Sequence, residues 1–586
     1  MIDNILPKAV DTKFKRGEVF MAVDMTVKIG GEAGQGLQTV GDLLCRVCRQ
    51  AGYFFLAIND YESRVRGGHN FFQVRISDSP ILAPAQEVDV LVDLDGVTYT
   101  QHASELKKDA IVLCRPDQDP TQHRTLHIDF TALAKEAGNK AAQNTVAAAA
   151  CLALLGAGEE LCQKVVQELF GTEEEKIGAI NQKALKAGFN SVAQSDLKGW
   201  DLTWEEQQTT GALLDGASTL ALGAVAAGCR VGAFYPMSPA TGIMTQLVQL
   251  AEHFPLVVEQ AEDEIAAINM VTGANFAGCR ALTATSGGGF SLMVEGIGLA
   301  ATTETPLVLI NAQRPGPATG LPTRTGQGDL LFTLHAAQDE FPRFVLAPAT
   351  VADCFYTMQR AFHLADTYQV PVMVLVDQYL VNTSMLVMEK LEISPDAAPI
   401  PMPKPPAKPE TYARFAFTEN GISPRLFPCQ SQALVKATGN EHTPDGHSSE
   451  NRENRIAMVN KRLAKLPAMK QEQRPPLLHH EQADWLLVSW GSSYGMVYEA
   501  VEKLRAQGLD VGLAHLVDIW PLPQEPLLSL LCGRKWLLVE QNATGQLGWM
   551  LRAELGVEPE DSIFQYDGRP LEVTRIVDET VAKIGG

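Results

Sequence analysis

Four acids crowd the stretch "VVEQAEDEIAAINMVTGA": Glu259, Glu262, Asp263 and Glu264. A carboxylate held out of water can store or return a proton, the work of a general acid or base. A helix N-terminus also attracts acids through its dipole, and Glu262 and Asp263 read that way. Further on, Ser286, Gly287, Gly288 and Gly289 spell "SGGG". Such a turn lets a ligand approach backbone N–H groups at a helix start; read alone, it is equally a tight structural turn. No Gly-Lys-Ser/Thr follows, so it is not a phosphate-binding P-loop. Arg314 stands in "NAQRPGPATG", and its planar guanidinium can hold a carboxylate by two parallel hydrogen bonds. Ser238 in "YPMSPAT" offers a hydroxyl either to a ketone oxygen or as the cap of a helix beginning near Ala240.

These residues need elements that bring them together. Apolar runs at 231–235, 281–285 and 306–310 each end in a Gly-, Ser-, Thr- or Pro-rich loop and then a helical pattern. That alternation predicts an α/β fold whose loops gather at the carboxyl edge of a parallel sheet, where ligands bind. Behind Glu264, the spacing of Ile265, Ile268 and Val271 predicts the apolar face of a helix.

The 586 residues are 46% hydrophobic, enough for roughly three or four domains of about 150 residues each. With 48 basic against 69 acidic residues the net charge is −21, which disfavours a nucleic-acid or anionic-membrane partner and favours a cytoplasmic protein. No run reaches the ~20 apolar residues of a membrane helix; the nearest, 216–234, contains Arg230. The first 25 residues show no cationic segment followed by an apolar stretch, so no signal peptide is expected. Of ten cysteines only Cys45 and Cys48 form a CxxC. They fall inside a helical pattern with no second pair, which reads as buried thiols in a reducing compartment, with no metal site or iron–sulfur cluster on this chain.

Three α/β domains and a connector are expected: 1–195, 200–392, a Pro-rich and then polar crossing at 393–480, and 481–586. The crossing, with "PIPMPKPPAKPE" and "GNEHTPDGHSSENRENR", reads as largely loop.

Several motifs in order resemble the 2-oxoacid:ferredoxin oxidoreductases. The acidic cluster, "SGGG" and Arg314 resemble the pyrimidine-binding domain (domain I) of their alpha subunit, which uses thiamine diphosphate. "GGEAGQG" and "ESRVRGGH" near the start resemble the family's gamma domain, here fused ahead of alpha, and "WPLP" with "EQNATGQL" resembles domain II, of transketolase C-terminal type. The fused order and the connector's "NEHTPDGH" resemble the 2-oxoglutarate branch.

The resemblance implies roles. Glu264, nine residues before Gly273, matches the glutamate that shares a proton with N1′ of the cofactor's aminopyrimidine. Pro236, Ser286, Gly287 and Gly288 would complete the cofactor contacts. Arg314 would clamp the 1-carboxylate of the 2-oxoacid, Ser238 would donate to its ketone, and Thr323 and Arg324 would meet its distal end, pairing with Asp329 being the other reading of Arg324. Gly34, Gln35, Gly36, Arg64 and Arg66 would contact coenzyme A, although the residues by themselves favour a solvent-facing or interface role for Arg64 and Arg66. The GDG motif that holds Mg-diphosphate in other enzymes of this cofactor is absent. Magnesium, the diphosphate half-site and a [4Fe-4S] cluster would therefore sit on a beta subunit, in a dimer of alpha–beta pairs that reduces ferredoxin. The implied reaction converts 2-oxoglutarate and coenzyme A to succinyl-CoA and CO2, or runs in reverse. Pyruvate or a branched-chain 2-oxoacid is the alternative substrate; a transketolase-like carboligase and a non-catalytic assembly or nucleotide-sensing subunit are the alternative classes.

Overall fold

The structure, a computed structural model, describes residues 23–33, 37–62, 67–171, 175–207, 211–400 and 403–585. It divides into two compact units. The first runs up to Leu214 and takes in Thr383–Lys390. Its eight-stranded sheet is built on Asp24–Ala33, which pairs antiparallel with Gly67–Ser77 and parallel with Val88–Asp93. The short strand Ser384–Val387 lies within 200–392 in sequence, yet it hydrogen-bonds to Phe54–Asp60 in this sheet. Cys45 and Cys48 are buried in the helix Leu37–Gln50, where burial pushes both thiols up.

The second unit holds Asp215–Asn382 and the chain from Leu391 on. Six strands of its larger sheet run parallel, in the order Phe344–Leu346, Pro371–Asp377, Leu307–Gln313, Ala281–Thr285, Val231–Phe234, Val257–Gln260. Every residue of Ala281–Thr285, Leu307–Gln313 and Pro371–Asp377 is buried, the pattern of parallel strands covered on both faces. Asp518–Trp520, from far along the chain, pairs antiparallel with the Phe344–Leu346 edge. The smaller sheet sets Trp485–Trp490 between the parallel strands Val511–Leu516 and Lys535–Glu540, with Asp561–Phe564 beyond and Leu477–His479 antiparallel at the other edge.

The crossing is not all loop: Arg452–Leu463 and Leu466–Gln471 are helices. Lys461 of the first helix and Lys465, the N-cap of the second, reach the buried Glu304 carboxylate at 2.6 and 2.7 Å. Among the described residues no helix is long and apolar enough to cross a membrane.

Candidate active site

Asp263 caps the helix Glu264–Phe276, its side chain accepting from Ala266 N at 2.7 Å. This is the helix-start role that acids commonly take. Glu262 is exposed, whereas Glu264, two residues on, is only 3% exposed. The helix face behind it is narrower than its spacing suggests: Ile268 and Val271 are buried, but Ile265 is 51% exposed. A neighbouring helix, Gly287–Thr302, packs closely here, since a Cβ on Gly296 would lie 2.6 Å from Ile268 Cγ2. Close packing brings the two helix starts together. A Cβ on Gly289 would collide with Thr285 Oγ1 and lie 2.6 Å from Glu264 Oε1.

Two polar atoms in this crevice are buried without a hydrogen-bond partner, Glu264 Oε1 and Ser286 Oγ. Ser286 occupies the N-cap position of its helix yet makes no capping bond with its side chain. Leaving such atoms unpaired costs about 1–3 kcal/mol each, so their presence marks a place for a ligand that supplies partners. Gly288 is exposed, and the nearest atom to a Cβ there is Ala318 O at 3.9 Å. Thr285 Oγ1 lies 3.8 Å from Met237 Sδ, which ties the loop carrying Pro236 and Ser238 to this crevice.

Arg314 follows the central strand Leu307–Gln313 and donates through Nη1 to the Ser238 carbonyl oxygen at 2.6 Å. Its Nε is buried and makes no hydrogen bond. Burial pulls the guanidinium below its ordinary range, opposed by the Asp329 carboxylate, and burial pushes Asp329 up. Asp329 joins three parts of the site. Asn311 Nδ2 donates to Asp329 Oδ2 at 3.2 Å, Asp329 N donates to Gln313 Oε1 at 3.1 Å, and a Cβ on Gly287 would lie 2.7 Å from Asp329 Oδ2. The Arg314 guanidinium, which the sequence sets apart for substrate, opposes that upward push on Asp329. Ser238 does not cap the following helix: Thr241–Ala251 has Ala240 at its N-cap without a side-chain bond.

Thr323 is buried and Arg324 half-buried on the loop ahead of Asp329. The Arg324 side chain packs on Gly568, where a Cβ would lie 3.1 Å from Arg324 Cβ. The Glu264, Ser286, Gly287 and Gly288 group, the Pro236 and Ser238 loop, Arg314 and the 323–324 loop therefore lie along one sheet edge, linked by Gly289, Met237 and Asp329. Gly34, Gln35, Gly36, Arg64 and Arg66 lie outside the described residues. The sequence names Gly289 and Asp329, but not the close fit of Gly289 against Glu264 or the charge contact between Asp329 and Arg314. The fourth position of "SGGG" and the acid closing "GQGD" were the available signals.

Residues 222–461 match the family described as pyruvate flavodoxin/ferredoxin oxidoreductase, thiamine diP-bdg; 26–191 match pyruvate ferredoxin/flavodoxin oxidoreductase, and 483–575 match pyruvate:ferredoxin oxidoreductase core domain II. The 2-oxoacid:ferredoxin oxidoreductase subunit alpha of Saccharolobus solfataricus is 32% identical, the alignment covering 93% of this chain and 95% of that one. The 2-oxoglutarate oxidoreductase subunit KorA of Mycobacterium tuberculosis is 30% identical over 91% of this chain and 88% of its own length. A solved structure of 2-oxoglutarate:ferredoxin oxidoreductase from Magnetococcus marinus, with 2-oxoglutarate, coenzyme A and succinyl-CoA bound, superposes with a TM-score of 0.87 at 29% identity, covering 96% of this chain and 99% of that one. The chain belongs to the alpha subunits of the thiamine diphosphate-dependent 2-oxoacid:ferredoxin oxidoreductases. As an alpha subunit it is one part of a multi-subunit enzyme, which implies a beta partner.

Proposed function

We propose that this chain, with its beta subunit, oxidises 2-oxoglutarate in the presence of coenzyme A to succinyl-CoA and CO2 and passes the electrons to ferredoxin. The observation that carries the site is the buried, unpartnered Glu264 Oε1 beside the glycine helix start. An aminopyrimidine would fit it: Glu264 and the Ser286 hydroxyl would hold its polar groups, and Gly287 and Gly288 leave the approach open, with Pro236 on the adjoining loop. When bound, thiamine diphosphate supplies the carbon nucleophile and the electron sink for decarboxylation. Glu264 holds and returns the proton at N1′. Arg314, steadied by Ser238 O, presents Nε to the 1-carboxylate, and the Ser238 hydroxyl donates to the ketone oxygen. Thr323 and Arg324 take the distal carboxylate, which cannot be buried unpaired without heavy cost.

The 2-oxoglutarate reading draws support from the KorA relative and from the ligands of the Magnetococcus structure. We assign the coenzyme A contacts to Gly34, Gln35, Gly36, Arg64 and Arg66. The segment 1–195 serves as gamma domain, 200–392 as cofactor domain, 393–480 as connector and 481–586 as domain II. Because this chain has no GDG motif, the Mg-diphosphate half-site and the [4Fe-4S] cluster are assigned to the beta subunit, in a dimer of alpha–beta pairs in the cytoplasm. The test is kcat/KM of the assembled complex for 2-oxoglutarate, pyruvate and 2-oxoisovalerate, with the visible absorption followed during turnover. Bleaching on addition of 2-oxoglutarate and coenzyme A is expected, with 2-oxoglutarate the best substrate. A preference for either other acid overturns the substrate assignment, and no bleaching with any of them overturns the electron path.

A further inference from the structure

The loop that carries Thr323 and Arg324 does not rest on its own sheet alone. Gln327 is buried, and each of its four hydrogen-bonding groups ends on the last part of the chain. Its backbone N–H donates to Gln541 O at 2.9 Å, and its Nε2 donates to Trp490 O at 2.9 Å. Its Oε1 accepts from Gln541 N at 3.3 Å, and its carbonyl accepts from Asn542 Nδ2 at 3.2 Å. Gln546 holds the next turn: Nε2 donates to Gly328 O at 2.8 Å, and Oε1 accepts from Leu331 N at 3.0 Å. On the other side Thr325 N donates to Gly568 O at 3.2 Å.

The donors and acceptors at 541–546 are themselves held. The buried Glu540 carboxylate accepts from Trp490 Nε1 at 3.0 Å, Asn542 Nδ2 at 2.7 Å and Leu547 N at 2.9 Å, and Asn542 Oδ1 accepts from Gly545 N at 2.8 Å. Gln541 Oε1 is buried without a partner, but the amide and backbone groups of Gln327 are all paired, and a shift of the loop would leave them buried and unpaired. The loop ends at Asp329, beside Arg314 and Gly287.

We propose that Gln327 is a positioning residue for the 2-oxoacid, and that the "EQNATGQL" segment is the template that sets where Thr323 and Arg324 stand relative to Arg314. Gln327 acts through the loop and touches no reacting atom. The inference rests on the reading that Thr323 and Arg324 meet the distal end of the substrate. It gives the last domain, which carries no proposed contact to cofactor or substrate, a part in substrate selection.

Two variants of the assembled enzyme test it. Gln327→Met keeps side-chain length and removes the amide; Gln546→Ala removes the hold on Gly328 and Leu331 from a half-buried site where truncation leaves no large cavity. Both should raise KM for 2-oxoglutarate by about tenfold, with kcat and the KM for coenzyme A held. Gln546→Glu, which still accepts from Leu331 N, should recover part of the loss. An unchanged KM for the 2-oxoacid in Gln546→Ala, or equal losses for 2-oxoacid and coenzyme A together with a lowered Tm, would overturn the proposal. If the unaltered enzyme prefers another 2-oxoacid, the 2-oxoglutarate reading fails by itself, and the same KM comparison with the preferred acid still decides the role of Gln327.

Discussion

Gly289 and Glu264 fit one another so closely that a single methyl group would separate them: a Cβ on the glycine would come within 2.6 Å of the carboxylate Oε1. Neither neighbour can give way easily, since Thr285 Oγ1 blocks the other side and Glu264 is buried. Gly289→Ala should therefore displace the carboxylate and lower kcat, even though alanine is the better helix former. Glu264→Gln, which leaves the shape intact, should lower kcat by ~10²–10⁴, the range of a lost general acid or base. Steady-state rates on the assembled complex check both. Near-normal turnover in Glu264→Gln would move the proton to another group.

Arg314→Ala should show itself in the 2-oxoacid term. A charge-assisted hydrogen bond to a carboxylate contributes ~1.5–3 kcal/mol, which appears as a fall in kcat/KM for the 2-oxoacid while coenzyme A kinetics hold. The Ser238 carbonyl also loses its donor, so the loop at 236–238 should loosen. Were coenzyme A affinity to fall instead, the guanidinium would belong to the other substrate.

Glu304 is a buried carboxylate set among three buried cations, Lys461 and Lys465 on its side chain and Arg414 on its carbonyl. Its folded pKa is held down at about 2 against the attraction of burial for the neutral form, by Lys465 first and then Lys461. The sign follows: the contribution is present above the unfolded value and is lost as pH falls through the folded one. Glu304→Gln would strand the cations, and the loss of folding stability at neutral pH should be on the order of 3–5 kcal/mol, read as a lower denaturation midpoint.

Asp377 behaves oppositely. Buried at the carboxyl end of its strand, it accepts from the Ser492 hydroxyl and from Leu380 N at 2.9 Å, and burial raises it to about 6. A raised carboxyl contributes stability that is full below its unfolded pKa, about 4, and is lost as pH rises through about 6. Compared with the unaltered chain, Asp377→Asn should gain in Tm between those two pH values and keep a constant difference above them. Parallel Tm curves across that window would show that Asp377 does not titrate there.

The strands, turns and helix starts that carry the candidate residues were legible in the sequence because each is a local event. An apolar run followed by a glycine-rich loop makes a strand, a turn and a helix start, and the acid at 263 caps its helix by chain geometry alone. The parallel α/β order followed from the same periodicity. Which atoms remain unpaired was decided only when distant elements met. Glu264 Oε1 and Ser286 Oγ are orphaned because two helices pack at Gly296 and Gly289. Gln327 and Gln541 bond across 214 positions of sequence, and Ser384–Val387 leaves its neighbours in sequence to join the first sheet. Ile265 went to the surface although its spacing matched the buried face, because burial depends on what lies opposite. Periodicity reports which residues share a face; which partner covers that face is set by sheet order and by contacts between residues far apart in the chain.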